Sequence, residues 1–201
     1  MFEFTLLGQP SSLIEVLGII TGLLGVWLTV RQNILCFPVG ILNVSIYAFM
    51  FSSEGIRLYA DALLQCIYLI LLAYGWIHWK KSRKTFTIPI QTINLFSIKV
   101  IYVSFLGFIL LSLFLQHFTN ASLPWLDSAL TVLSLVAQWM VARKMITNWI
   151  LWIIVDIIYI PLFLYKGLPL TSILYLVFLI LAIKGYFDWS KINTKNVNSN
   201  V

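Results

Sequence analysis

Apolar residues fall in long blocks along this chain, with polar residues confined largely to the gaps. The blocks cover 13–30, 34–51, 58–79, 93–115, 124–142, 146–164 and 170–187. Each approaches or reaches the ~20 residues that a helix needs to cross ~30 Å of hydrocarbon. None alternates with the period of a strand, and backbone in lipid must satisfy its own hydrogen bonds. The pattern therefore predicts an all-α integral membrane protein with seven transmembrane helices. Most connections are short. The exception is the basic loop 80–92, "KKSRKTFTIPIQT"; residues 1–12 precede the first span, and the polar tail 191–201 is expected to be disordered.

The blocks repeat. Shifting the chain by 112 residues lays Trp27 on Trp139, Arg31 on Arg143, Phe37 on Trp149, Tyr47 on Tyr159 and Gly55 on Gly167. After a two-residue gap, "GWIHWKK" meets "GYFDWSK", with Gly75 on Gly185 and Trp79 on Trp189. Two three-helix units, 13–79 and 124–190, are expected to flank a linker helix at 93–115. An odd linker gives both units the same orientation, a parallel repeat of the kind used by transporters. The repeat partners of Asp61 and Gln65 are the apolar Ile173 and Val177, a divergence that an asymmetric ligand would require.

Charge then orients the helices. Arg31, Lys80, Lys81, Arg83, Lys84, Arg143, Lys144, Lys191 and Lys195 fall on one side, against Arg57 and Lys166 on the other. By the positive-inside rule the N-terminus lies outside and the C-terminus in the cytoplasm. The net charge of +6 is thereby explained as topology, not as affinity for nucleic acid. Only 10% of residues are charged and 61% are hydrophobic, against about 25% charged in a soluble domain. No basic stretch precedes the first apolar block, so no cleaved signal peptide is expected. Cys36 and Cys66 read as apolar filler, and neither they nor His78 and His117 form a metal-ligand spacing. No phosphate-binding loop, HExxH or GxSxG motif is present, so neither nucleotide-driven pumping nor an enzyme is expected.

Polar residues inside the blocks carry the candidate chemistry. In "NWILWIIVD", Trp149, Trp152, Asp156 and Tyr159 share a sector of roughly 100° on a helix, with Asn148 at its edge. An intramembrane carboxylate costs about 2.5–3.5 kcal/mol on insertion scales, which marks Asp156 as functional unless Arg143 or Lys144 pairs with it. Asp61 and Gln65 lie one turn apart in "LYADALLQCIY". Asn43 and Tyr47 do the same in "FPVGILNVSIYAF", where Pro38 and Gly40 are expected to loosen the helix. Gln138 ends the fifth span beside Trp139, and Glu15 and Asp127 are read as helix caps. Aromatic rings hold a delocalised cation through their quadrupole, a carboxylate complements its charge, and amides read hydroxyls. The expected ligand is a planar, cationic, hydroxyl-bearing small molecule, with no cofactor or metal. A scaffold with structural polar pairs is the competing reading.

The stretches from "WLTVRQNILCFPVG" to "GWIHWKK", and "LDSALTVLSLVAQWMVARKMITNWILWIIVD", resemble the PnuC family of vitamin transporters, known best for nicotinamide riboside. The resemblance implies seven spans in a SWEET-like 3+1+3 order in the bacterial cytoplasmic membrane. It also implies a homotrimer and facilitated diffusion, with the substrate trapped by phosphorylation. It places Trp149 and Trp152 on either side of the nicotinamide ring and gives ribose and amide to Asn43, Tyr47 and Gln65. Asp156 stands where many members have Asn, and Phe37-Pro38 replaces a Trp-Pro of the family. Other members carry thiamine or riboflavin.

Overall fold

The computed structural model describes residues 3–6, 9–52, 59–83, 98–118 and 123–198. Among the described residues a short antiparallel hairpin, β1 (Glu3–Leu6) and β2 (Gln9–Ser12), precedes seven helices. These are α1 (Leu13–Val30), α2 (Cys36–Ser52), α3 (Tyr59–Arg83), α4 (Ile98–Phe118), α5 (Pro124–Ala142), α6 (Asn148–Tyr165) and α7 (Pro169–Asn198). Five of them (α1, α4, α5, α6 and α7) are long and apolar enough to cross a bilayer, and α2 carries a shorter apolar run, Cys36–Met50. Helices α1, α2, α3, α5, α6 and α7 pack in that order, and α7 closes the ring on α1. Helix α4 leans on α5 from outside. Leu, Ile and Phe side chains such as Leu17, Phe49, Phe105 and Ile180 face outward, as lipid allows.

Two expectations shift. The tail does not leave the helix at Lys191: "SKINTKNVN" contains neither Pro nor Gly, and α7 propagates through it to Asn198. Pro38 does not loosen α2. It lies in the first turn, where a missing N–H costs nothing because that position has no acceptor within the helix. Most of loop 80–92 lies outside the described residues, although α3 extends through Lys80 and Lys81 to Arg83.

The duplication is written into the backbone. Helices α1 and α5 end in the same way. Gln32 and Lys144, 112 positions apart, both take the left-handed conformation (φ 52° and 56°). The next amides reach back to the last turn, Asn33 N to Leu28 O and Met145 N to Met140 O, each at 2.9 Å. This is the bonding of a Schellman C-terminus. Arg31 stacks over Trp27 and Arg143 over Trp139, both 5.6 Å from the ring centre.

The halves are joined at this basic end by a cluster of indoles. Trp79 of α3 donates from Nε1 to the carbonyl of Val141 at the end of α5, at 3.2 Å. Trp189 of α7 donates in the same way to Val30 at the end of α1, also at 3.2 Å. The two rings lie 6.2 Å apart. Each takes an edge-to-face partner from its own half, Phe37 on Trp79 at 5.0 Å and Trp149 on Trp189 at 5.4 Å. Equivalent residues of the two units meet at one end of the bundle, so the units are parallel. Phe37 is fully buried in this cluster. The departure from Trp-Pro at this position therefore falls in the core.

Candidate functional site

Between the halves lies a cavity of about 310 Å³, at the small end of the range for small-molecule sites. Its walls follow helical periodicity. Helix α6 contributes Trp149, Trp152, Asp156 and Tyr159, and α7 contributes Tyr175, Phe178 and Ala182. Across from them, α5 contributes Thr131, Ser134, Gln138 and Val141, and α3 contributes Leu64, Gln65 and Tyr68. Val26 and Thr29 of α1 complete the lining. One wall is thus aromatic and the other rich in amides and hydroxyls.

The structure gathers Trp149, Trp152, Asp156, Tyr159, Gln65 and Gln138 around this space. Asn43, Tyr47 and Asn148 are not among its lining residues. Asn43 spends its amide on helix packing, donating to Gly18 O at 2.6 Å and Thr21 Oγ1 at 3.0 Å. Tyr47 sits against Gly18, where a Cβ would come within 2.9 Å of its ring. Asn148 is fully buried at the start of α6 and donates to Met145 O at 2.5 Å. The side chain of Asp61 lies outside the described residues. Asn43→Ala is therefore expected to lower thermal stability by about 0.5–1.5 kcal/mol, the range for an interhelical hydrogen bond in a membrane. Ligand affinity of the folded protein should stay unchanged, as titration of the purified variant would check.

Tyr175 and Phe178 were missed by sequence reasoning, although a signal existed. Helices α3 and α7 start at Tyr59 and Pro169, so the two-residue gap precedes them. In that register Gln65 falls on Tyr175, in place of the apolar Val177 expected, and Tyr68 falls on Phe178. Gln65, Tyr68, Tyr175 and Phe178 all line the cavity.

Asp156 is 3% exposed and, among the described residues, makes neither an ion pair nor a hydrogen bond. Arg143 and Lys144 do not reach it; they lie over Trp139 and over Trp79, the latter with Nζ 4.7 Å from the ring centre. Asp127 does not cap α5 but pairs with Lys166 at 3.3 Å. Above Asp156, Tyr159 and Tyr175 stand 4.7 Å apart, with Phe163 closing a triad at 5.3 and 5.1 Å. Below it, the Trp149 indole N–H is buried without a partner. A carboxylate left uncompensated between aromatic rings is chemically suited to a flat organic cation. No group of His, Cys, Asp and Glu that could hold a metal occurs among the described residues.

A lipid-facing ring of helices around a ligand-sized, chemically two-sided cavity is the architecture of a membrane carrier. Residues 12–191 match the family described as nicotinamide mononucleotide transporter. The chain is 26% identical to the nicotinamide riboside transporter PnuC of Escherichia coli (strain K12), over 90% of this chain and 87% of the relative. It is 27% identical to the nicotinamide riboside transporter PnuC of Neisseria mucosa, over 92% and 74%. It is 24% identical to the riboflavin/roseoflavin transporter RibM of Streptomyces davaonensis, over 92% and 88%. The crystal structure of the vitamin B3 transporter PnuC superposes with a TM-score of 0.71 at 25% identity, covering 90% of this chain and 82% of that one. The chain belongs to the PnuC family of membrane transporters.

Proposed function

We propose that this protein carries nicotinamide riboside into the cell by facilitated diffusion, with cytoplasmic phosphorylation trapping the product. The single observation that carries the reading is Asp156, a buried carboxylate that opens on a ring-lined cavity with no protein partner among the described residues. Nicotinamide riboside supplies what is missing: a pyridinium ring that carries fixed positive charge and is flat enough to lie against indole. Trp149 and Trp152 hold that ring, Asp156 faces its charge, and Tyr159 closes over it. Gln65 and Gln138, on the opposite wall, meet ribose hydroxyls and the carboxamide. The names of the Escherichia coli and Neisseria relatives point the same way.

The protein would sit in the bacterial cytoplasmic membrane as a homotrimer, with its N-terminus outside and its basic end in the cytoplasm. The placement of Arg31, Arg143 and Lys144 beside the indole cluster supports that orientation. Thiamine is the second reading, favoured by the same carboxylate because its thiazolium ring also carries fixed charge. Riboflavin, neutral and three rings wide, fits the 310 Å³ cavity less well.

Calorimetric titration of detergent-purified protein with the three vitamins separates these readings. Nicotinamide riboside is expected to bind most tightly and riboflavin most weakly. Tighter binding of thiamine would transfer the assignment to thiamine, and binding of none would leave the scaffold reading. Uptake into proteoliposomes that persists with ion gradients collapsed is the expected mark of facilitated diffusion.

A further inference from the structure

Trp149 is only 1% exposed, yet it forms part of the cavity wall. What fixes its depth is the absence of a side chain on α7. A Cβ built on Gly185 would lie 2.6 Å from Cε2 and Cζ2 and 2.7 Å from Cδ2 of the indole. Carbon atoms in contact rest about 3.5–4.0 Å apart, so a methyl here requires the ring to retreat by roughly 1 Å. Retreat toward Trp189 is blocked by the edge-to-face contact at 5.4 Å, with planes at 89°. Trp189 is itself fully buried and tied to Val30. The remaining free direction for the indole is the cavity.

The first half contains the same device without the cavity. Gly75 occupies the place of Gly185, and a Cβ on it would fall 2.9 Å from Cζ of Phe37 and 3.0 Å from Cβ of Ala142. Phe37 packs edge-on against Trp79 just as Trp149 packs against Trp189. Helix α2, however, supplies no lining residue, so a displaced Phe37 pushes no ring of the cavity wall.

We propose that Gly185 is a specificity-determining positioning residue, acting through Trp149: its bare Cα sets the width of the slot that receives the flat ring of the substrate. The proposal rests on the reading of Trp149 as a ligand contact. Glycine gives a slot wide enough for a single aromatic cation in van der Waals contact with the indole. A Cβ narrows that slot, and the penalty grows with ring size.

The test is a titration series with nicotinamide riboside on the full-length protein, each variant checked for folding by thermal unfolding. Gly185→Ala is expected to weaken binding by at least about tenfold, in line with the sensitivity of sites to ~1 Å misplacement. Gly75→Ala is expected to lower the unfolding temperature while its folded fraction binds as the parent does. Adding Trp149→Phe to Gly185→Ala removes the atoms that collide, so the double variant is expected to bind like Trp149→Phe alone, a non-additivity proper to residues in contact. That comparison also serves if Gly185→Ala alone fails to fold. Parent-like affinity in Gly185→Ala, or equal weakening in Gly75→Ala and Gly185→Ala, overturns the proposal while Trp149 remains a contact. Parent-like affinity in both Trp149→Ala and Trp149→Phe removes the contact itself and the proposal with it.

Discussion

Asp156→Asn is expected to stabilise the empty protein and to weaken its hold on a cationic ligand. The two effects share one cause. In the empty protein the carboxylate is buried, unpaired among the described residues and surrounded by indole and phenol rings. An acid so placed must either bury a charge or take up a proton, at about 2.5–3.5 kcal/mol on insertion scales, and the isosteric amide avoids most of that cost. A gain on the order of 1–2 kcal/mol, or a few degrees in unfolding temperature for a chain of this size, should be measurable in detergent. With nicotinamide riboside bound, the carboxylate faces a cation in a dry site. Removing one member of such a pair costs about 2 kcal/mol or more, which corresponds to roughly thirtyfold weaker binding. The reduced, uncharged dihydropyridine form of the riboside is the control, and its affinity should be nearly equal for parent and variant. If Asp156→Asn lowers stability and leaves affinity for the cation intact, the carboxylate is structural and the carrier reading loses its main support.

Trp189→Ala should produce the largest loss of stability. The ring is fully buried, touches Trp79 and Trp149, and ties α7 to the last turn of α1 through Val30. Truncating a buried Trp to Ala costs about 3–5 kcal/mol. Trp189→Phe keeps much of the ring contact and forfeits the hydrogen bond, so a loss nearer 1 kcal/mol is expected. The equivalent Trp79→Ala should destabilise comparably. The two differ in binding. Trp189 backs the ring of Trp149 on the cavity wall, whereas Trp79 backs Phe37, which is not among the lining residues, and meets the lining residue Val141 only at its backbone carbonyl. Unfolding and titration of both variants should show similar losses of stability but weakened binding only for Trp189→Ala. Weakened binding in both would mean that the cavity depends on the whole cluster rather than on one wall.

Much of the fold was legible because lipid leaves few choices. An apolar block in the bilayer must be helical, and paired landmarks such as Arg31 and Arg143 are rare enough in a Leu-rich chain to expose the duplication. Helical spacing also identified the stripe from Trp149 to Tyr159, which the cavity collects. Spacing alone does not say what a polar stripe looks at. Asn43 and Asp156 sit at nearly corresponding places in their halves, but one amide is consumed by Gly18 and Thr21 while the carboxylate lines the cavity. That difference arises from how α2 and α6 are rotated in the ring of helices, which no local pattern encodes. Tyr175 and Phe178 were hidden for a simpler reason. The two-residue offset between the units lies ahead of α3, and counting across it in the wrong register pairs Gln65 and Tyr68 with the lipid-facing Val177 and Ile180.

The reciprocal bonds of Trp79 and Trp189 make the two units interdependent. Neither α3 nor α7 finds its indole acceptor in its own half, since each donates to a carbonyl at the end of the other's first helix. A three-helix fragment severed from its sibling would keep its edge-to-face ring pair but retain a stranded N–H and an orphaned carbonyl at the same end. The smallest piece of this chain that satisfies both of these indoles is consequently the pair, and duplication here made a molecule whose parts complete one another.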